Sequence, residues 1–374
     1  MHAFLAPVRE DLVGIHSYGA PQLDVPARMN VNENPFSLPP ELAEAMGQAV
    51  AEMASGLNRY PDRDAVALRA ELAKYLLAES GVRVDGARVW AANGSNEVMH
   101  HLFLAFGGPG RLAISFDPTY SMYPEYARDT FTTYQTLART EQFGIDVQAA
   151  CSAIAERKPT LVLLTSPNNP TGTGLPMDDV HALAQASLDV DALVIVDEAY
   201  AEFRRAGTPS ALELLDQYPN LVVTRTMSKA FALAGARLGY AVAAQQDVID
   251  ALQVVRLPYH LSAVTQAVAV CALEHADVLQ AQVALLRHER DMLSQWLADQ
   301  GYRVCPSDAN FILFGSFEDR QAVFDDLLSQ GVLIRVTGPH GWLRVTIGTP
   351  AENARFREAL TRSGSANVVG QGKS

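Results

Sequence analysis

Leu221-Val222-Val223-Thr224, with Arg225 and then Thr226-Met227-Ser228-Lys229-Ala230-Phe231 behind it, decides how the rest of the chain is read. The first four residues form a short, β-branched apolar run, the mark of a buried strand. Lys229 follows within a few residues, with the hydroxyl of Ser228 beside it and Ala230-Phe231-Ala232-Leu233 after it. That is a poor setting for a solvated amine and a good one for an amine that forms a Schiff base with a carbonyl group. Working outward, similar apolar runs occur at residues 88–92, 111–116, 161–165, 193–196 and 239–243. Helical stretches alternate with them, as at 96–106 and 178–186. This alternation predicts an α/β domain around a mostly parallel sheet. Such sheets bind ligands at the carboxyl ends of their strands.

Outside this core the pattern changes. Residues 1–30, with prolines at 7, 21 and 26, read as an irregular N-terminal arm. One helix is expected to start at Pro39-Pro40, and another to run over 65–77 and end near Ser80-Gly81. Beyond 260 come a long helical region (262–300), a strand at 311–314, a helix at 322–330, strands at 332–336 and 342–347, and a helix at 351–362. The expected organisation is an arm (1–30), a large ligand-binding domain (61–260), a smaller α+β domain built from 31–60 and 261–362, and a disordered tail (363–374).

Bulk composition narrows the function. The 374 residues include 29 Lys and Arg against 42 Asp and Glu, a net charge of −13. That argues against a nucleic-acid binder, yet a few arginines can still form a local site for an anion. Three scattered cysteines, Cys151, Cys271 and Cys305, suit a reducing cytoplasm better than a disulfide framework. The N-terminal stretch before Pro7 is too short for a signal peptide, and no apolar run is long enough to span a bilayer.

Polar signatures sit just after the apolar runs. Asn93-Gly94-Ser95-Asn96 lies between a strand and a helix. Free backbone N–H groups there can bind a phosphate, or the segment can simply be a helix cap. Asp117-Pro118-Thr119-Tyr120 offers an aromatic ring for stacking on a flat group, or a turn with a partly buried tyrosine. Ser166-Pro167-Asn168-Asn169-Pro170-Thr171-Gly172 is a turn in which Asn169, before a proline, is conformationally restricted and can direct its amide at a ring hydroxyl. Asp197-Glu198-Ala199-Tyr200 ends a buried run, where a carboxylate is costly without a partner. A metal is a poor partner, since His100-His101 are adjacent on a helix and make a poor chelate. A pyridinium nitrogen is a better one, because an ionised Asp keeps such a ring protonated and electron-withdrawing. Tyr200 can bond the ring hydroxyl, and Arg237 can clamp a phosphate bidentately.

In this order, Asn-Asn-Pro-Thr-Gly, Asp-Glu-Ala-Tyr, Ser-Lys-Ala-Phe and Ala-Gly-Ala-Arg-Leu-Gly resemble the fold-type I pyridoxal phosphate (PLP) aminotransferases. Within these the chain is most similar to the histidinol-phosphate aminotransferases. That closer likeness rests on Tyr18-Gly19-Ala20-Pro21-Gln22, Asn32-Glu33-Asn34-Pro35, Arg59-Tyr60-Pro61, Gly94-Ser95-Asn96-Glu97, and Arg335 with Leu343-Arg344-Val345-Thr346-Ile347-Gly348, and it covers about residues 15–360. The resemblance implies a seven-stranded-type, mostly parallel sheet and an obligate homodimer. It also implies that Lys229 carries PLP as a Schiff base and then serves as base and acid of the 1,3-proton shift. Asp197 would pair with the pyridine nitrogen, Asn169 and Tyr200 would bond the ring hydroxyl, and Tyr120 would stack on the ring. Gly94, Ser95, Asn96, Ser228 and Arg237 would hold the phosphate, with Tyr60 reaching it from the neighbouring subunit. Arg335 and Arg344 would bind the anionic end of the substrate, with Tyr18 and Asn34 as further substrate contacts. The implied reaction converts histidinol phosphate and 2-oxoglutarate to imidazole-acetol phosphate and glutamate by ping-pong kinetics.

Three other readings share these motifs. An aromatic amino-acid aminotransferase keeps the reaction and changes the donor. A phosphothreonine-type decarboxylase would release carbon dioxide without an oxo-acid. A non-enzymatic PLP-binding regulator needs a DNA-binding domain, for which there is neither a basic segment nor room.

Overall fold

The computed structural model of the protein describes residues 6–17 and 19–363. In chain order its strands are β1 (Ala27–Arg28), β2 (Val89–Ala92), β3 (Leu112–Asp117), β4 (Thr133–Ala138), β5 (Leu161–Thr165), β6 (Leu193–Asp197), β7 (Leu221–Thr226), β8 (Gly239–Ala243), β9 (Arg303–Val304), β10 (Phe311–Gly315), β11 (Val332–Leu333), β12 (Arg335–Val336) and β13 (Leu343–Thr346). The helices are α1 (Pro40–Ala54), α2 (Val66–Ser80), α3 (Ser95–Phe106), α4 (Tyr123–Asp129), α5 (Val147–Arg157), α6 (Met177–Leu188), α7 (Gln246–Val255), α8 (Ala263–Glu274), α9 (Ala276–Asp299), α10 (Arg320–Ser329) and α11 (Pro350–Arg362).

The central sheet has seven strands in the order β2-β8-β7-β6-β5-β3-β4. All run parallel except β8, which is antiparallel to both its neighbours. Strands β5, β6 and β7 are apolar on both faces because helices cover both. Leu161, Leu163, Ile195 and Val222 pack with Val98, Met99, Leu102 and Phe103 of α3, Tyr123 and Tyr126 of α4 and Ile249 of α7. Their neighbours Val162, Leu164, Val194, Val196, Leu221 and Val223 face the other way, into the core that holds Leu68 and Leu72 of α2, Ile154 of α5 and Leu183 of α6. Near-continuous hydrophobic runs are what a parallel sheet buried on both faces requires. A second sheet, antiparallel, has the order β12-β13-β10-β9.

Four local expectations are corrected. The arm does not stay irregular to residue 30, because β1 pairs in parallel with β11 and Met29 and Asn30 are buried. Two residues are too few to show any period, so this pairing has no local signal. The expected strand at 332–336 is two short strands, β11 and β12, which belong to different sheets. The helical region at 262–300 is broken into α8 and α9 at His275. Strand β4 was not expected, since it edges the sheet with mostly exposed side chains and lacks the apolar pattern of its neighbours. The tail from 364 onward lies outside the described residues. Among the described residues no single helix is long and apolar enough to cross a membrane.

Candidate active site

The parallel strands end at one rim of the sheet, and the polar segments following β2, β3, β5, β6 and β7 gather there. Because β8 runs the opposite way, the residues before it face this rim, which explains how Arg237 joins residues that come after strands. The result is a cavity of about 400 Å³ lined by Lys229, Asp197, Tyr200, Asn169, Tyr120, Ser95, Asn96, Ser228, Arg237, Arg335 and Arg344, with Asn30 to Glu33 along one side. That volume lies in the range of cofactor and small-ligand sites.

One end of the cavity suits an anion. Gly94, at φ +83°, precedes α3 and turns the helix start toward Arg237. A Cβ at Gly94 would lie 2.6 Å from Arg237 Nη2, and one at Gly239 would lie 2.1 Å from the Ser95 backbone nitrogen. Both glycines therefore allow the helix N-terminus, the guanidinium and the start of β8 to meet. The first-turn N–H groups of a helix have no intrahelical acceptor, and the helix dipole favours a negative charge there.

The next feature is the carboxylate. Backbone alternation sends Asp197 and Glu198 to opposite faces. Glu198 is buried against Arg225, at 2.8 and 3.0 Å, and accepts from Ser210 Oγ at 2.7 Å and the Ala211 N–H at 2.8 Å. Burial opposes its ionisation, but Arg225 and then Arg204 outweigh that and lower its pKa. Glu198 is thus a structural anion. Asp197 faces the cavity instead, accepting the Tyr123 hydroxyl at 2.8 Å and the Ala199 N–H at 3.2 Å. Burial raises its pKa, and the hydrogen bond from Tyr123 leads the effects that oppose this.

Lys229 donates from Nζ to the Val31 carbonyl at 2.9 Å. Burial, followed by the charge of Arg344, brings its pKa from 10.5 down to about 8. A neutral amine is the nucleophilic form, so this environment prepares Lys229 for addition to a carbonyl. Tyr200 accepts from Asn32 Nδ2 at 2.9 Å and from Asn169 Nδ2 at 3.4 Å. The Asn169 amide is oriented by Arg344, whose Nη1 donates to Asn169 Oδ1 at 2.5 Å. Tyr120 donates to Asn96 Oδ1 at 3.1 Å. Arg335 and Arg344 are direct cross-strand partners on β12 and β13. Like charges in that position are destabilising, and an anion bound between them would relieve the repulsion.

These residues fit the cofactor expected from the sequence. The two glycines leave space for an anionic tail, a buried carboxylate faces the same space, and an amine with a depressed pKa stands within it. Among the described residues no group of three or more His, Cys, Asp or Glu side chains could hold a metal ion.

Two expected positions fall elsewhere. Asn34 is a correction: its Oδ1 accepts the Phe36 N–H at 3.0 Å and its Nδ2 donates to Gln282 of α9 at 3.3 Å, so its amide caps a turn and does not line the cavity. The asparagine that reaches the site is Asn32, held in place by Thr346. Tyr60 is 79% exposed and stacked on Tyr259 at 4.4 Å, away from this chain's cavity. Tyr18 lies outside the described residues. Sequence reasoning also missed Tyr123. Its position on a helix gives no sign that its hydroxyl meets Asp197, although the chain places it only three residues after Tyr120.

Comparison with known proteins agrees with this geometry. The family model described as aminotransferase class I and II matches residues 26–360. The chain is 60% identical over 361 residues to the histidinol-phosphate aminotransferase of Thermobifida fusca (strain YX), covering 96% of each. It is 54% identical to that of Bifidobacterium adolescentis, covering 95% of this chain and 94% of the relative. The crystal structure of histidinol-phosphate aminotransferase from Sinorhizobium meliloti in complex with pyridoxal-5'-phosphate matches with a TM-score of 0.81 at 26% identity, covering 91% of both chains. A family match over residues 26–360, a shared fold and a rim that gathers lysine, aspartate and arginine have one reading: the chain belongs to the class I and II aminotransferases.

Proposed function

We propose that this protein is a PLP-dependent histidinol-phosphate aminotransferase, moving the amino group of histidinol phosphate to 2-oxoglutarate. The observation that carries the substrate reading is the facing pair Arg335 and Arg344, which gives the cavity a second cationic site apart from Arg237. When bound, PLP supplies the aldehyde that takes up the amine and a ring that accepts the electron pair released at the substrate Cα.

The chain's own groups divide the remaining work. The N–H groups of Ser95 and Asn96, the Ser228 hydroxyl and Arg237 hold the cofactor phosphate, in space that Gly94 leaves open. Asp197 holds a proton at the ring nitrogen. Asn169 and Tyr200 would hold the ring hydroxyl, and Tyr120 would offer its own ring as a stacking surface. Lys229 would take the substrate Cα proton and hand it on, with its amine positioned by the Val31 carbonyl. Arg335 and Arg344 bind the substrate phosphate, or the side-chain carboxylate of glutamate in the return half-reaction. Tyr60 fits a role across a homodimer interface. Its loop is tied to 256–266 by the bonds Arg256–Asp64 at 2.9 Å and Gln266–Asp62 at 3.0 Å, which leaves the ring exposed for a second copy. A single-chain mass in sedimentation would remove that role.

The Arg335→Ala variant tests the substrate assignment. The Arg335 side chain makes no hydrogen bond or ion pair with the described residues, and the backbone pairing of β12 with β13 does not depend on it, so its removal should leave the fold intact. A charge-assisted hydrogen bond contributes about 1.5–3 kcal/mol. The KM for histidinol phosphate should therefore rise roughly ten- to hundredfold, with kcat nearly unchanged and little effect on phenylalanine. A wild-type enzyme that prefers phenylalanine, or a variant whose KM for histidinol phosphate is unchanged, would contradict the assignment.

A further inference from the structure

The site contains a row of hydroxyls that the reaction scheme above does not use. Thr165 of β5 and Thr224 of β7 flank Asp197 in register on the central sheet, so all three side chains project from the same face. Tyr123, fully buried in the first turn of α4, places its hydroxyl 2.8 Å from Asp197 Oδ2 and 2.8 Å from Thr165 Oγ1. Thr165 Oγ1 lies 3.2 Å from Thr119 Oγ1, which in turn lies 3.3 Å from Asn168 Oδ1. The Asn168 amide cannot be flipped, because its Nδ2 donates to the Pro118 carbonyl at 3.0 Å and to Thr171 Oγ1 at 2.8 Å.

Counting protons gives this row a direction. Four contacts join Asp197, Tyr123, Thr165, Thr119 and Asn168, and the oxygen at the Asn168 end can only accept. If Asp197 is ionised, that end also only accepts, and three hydroxyl protons must serve four contacts. One proton is then shared. The distances show which: the two contacts made by Thr119 are long, at 3.2 and 3.3 Å, and the two made by Tyr123 are short, at 2.8 Å. Thr119 divides its proton between Thr165 and Asn168, Thr165 donates to Tyr123, and Tyr123 donates to Asp197. A protonated Asp197 would supply a fourth proton and reverse the row, so the direction of the row follows the charge of Asp197.

We propose that Tyr123 is a positioning residue that keeps Asp197 ionised and aimed into the cavity, at the head of a one-way hydroxyl relay running Thr119, Thr165, Tyr123. The proposal rests on the reading of Asp197 as the partner of the cofactor ring nitrogen. Aligned hydroxyl dipoles reinforce one another in a low-dielectric interior, and a hydrogen bond to the charged form of an acid favours that form. The relay thereby offsets the burial that works against the charge of Asp197. The other charged groups around Asp197 are Glu198, next along β6, which opposes its ionisation, and the groups that line the same cavity: Lys229 after β7, Arg237 before β8, Arg335 of β12, Arg344 of β13, and the carboxylate of Glu33.

The test uses Tyr123→Phe, with Thr165→Val as the milder break, and Asp197→Asn as reference. In cofactor-free protein, infrared titration follows the carboxyl band that Asp197→Asn removes. In loaded protein, the nitrogen-15 shift of labelled cofactor reports protonation of its ring nitrogen. Tyr123→Phe is expected to raise the pKa of Asp197 by about one unit or more, to reduce ring-nitrogen protonation and to lower kcat roughly tenfold, leaving the KM for histidinol phosphate within about twofold. Thr165→Val should shift both spectroscopic readouts the same way by less, and it decides the matter should Tyr123→Phe not fold. An unmoved titration and an unmoved nitrogen shift in the folded variants would overturn the relay, even with a lower melting temperature. Wild-type turnover in Asp197→Asn would instead overturn the underlying reading of Asp197, so the two failures are distinct.

Discussion

Lys229→Ala is expected to lower turnover by about four orders of magnitude, the upper range for removing a group that is both nucleophile and acid–base catalyst. Among the described residues Lys229 is the only lysine that lines the cavity, so none of them offers a second amine to take its place. Its pKa of about 8, against 10.5 for an ordinary lysine, leaves an appreciable neutral fraction near neutral pH and more as the pH rises. The visible absorbance that the cofactor gains from its bond to lysine should disappear with the activity. The variant should still bind cofactor, because Ser95, Asn96, Ser228 and Arg237 are untouched. Turnover within tenfold of wild type would show that another group moves the proton.

Asp197→Asn is the second large effect. The amide is nearly isosteric with the carboxylate, so the cavity should keep its shape, but a neutral group cannot hold the ring nitrogen in its protonated form. Removing one preorganised electrostatic partner of a developing charge costs roughly 10²–10³ in kcat. The loss should fall on kcat, with cofactor retained through its phosphate. Stopped-flow measurement of the step that removes the Cα proton would show the loss directly, and a rate within threefold of wild type would refute the role. The neighbouring Glu198 makes a useful contrast. It has the same chemistry one residue later, yet the strand turns it away from the cavity and onto Arg225.

That contrast shows what the sequence makes legible. An apolar run ending in a polar residue marks both the strand and the rim, so the local pattern points to Asp197, Asn169 and Lys229 as rim residues, whereas the Gly94 segment reads locally as a helix cap as readily as an anion site. The alternation of side chains along β6 even separates Asp197 from Glu198. Long-range placement is not legible in this way. Asn32 and Asn34 are equally plausible in the sequence, and only the bonds of Asn32 to Thr346 and of Asn34 to Gln282 tell them apart. Tyr123 looks like any apolar-face residue of a short helix until β5 and β6 bring Thr165 and Asp197 beneath its hydroxyl. Strand β4 has no burial to betray it, and β1 is too short to show a period. In each case the missing signal is a contact between distant segments.

If this cavity moves an amino group from a phosphorylated donor to a resident aldehyde, one half-reaction alone will show it. Purified protein loaded with PLP would be mixed with histidinol phosphate in the absence of any oxo-acid, and its visible spectrum followed. The absorbance of the lysine-bound cofactor should be lost in step with the formation of one ketone per active site, without carbon dioxide, and 2-oxoglutarate should restore it. No spectral change with histidinol phosphate, or release of carbon dioxide in place of the ketone, would contradict it.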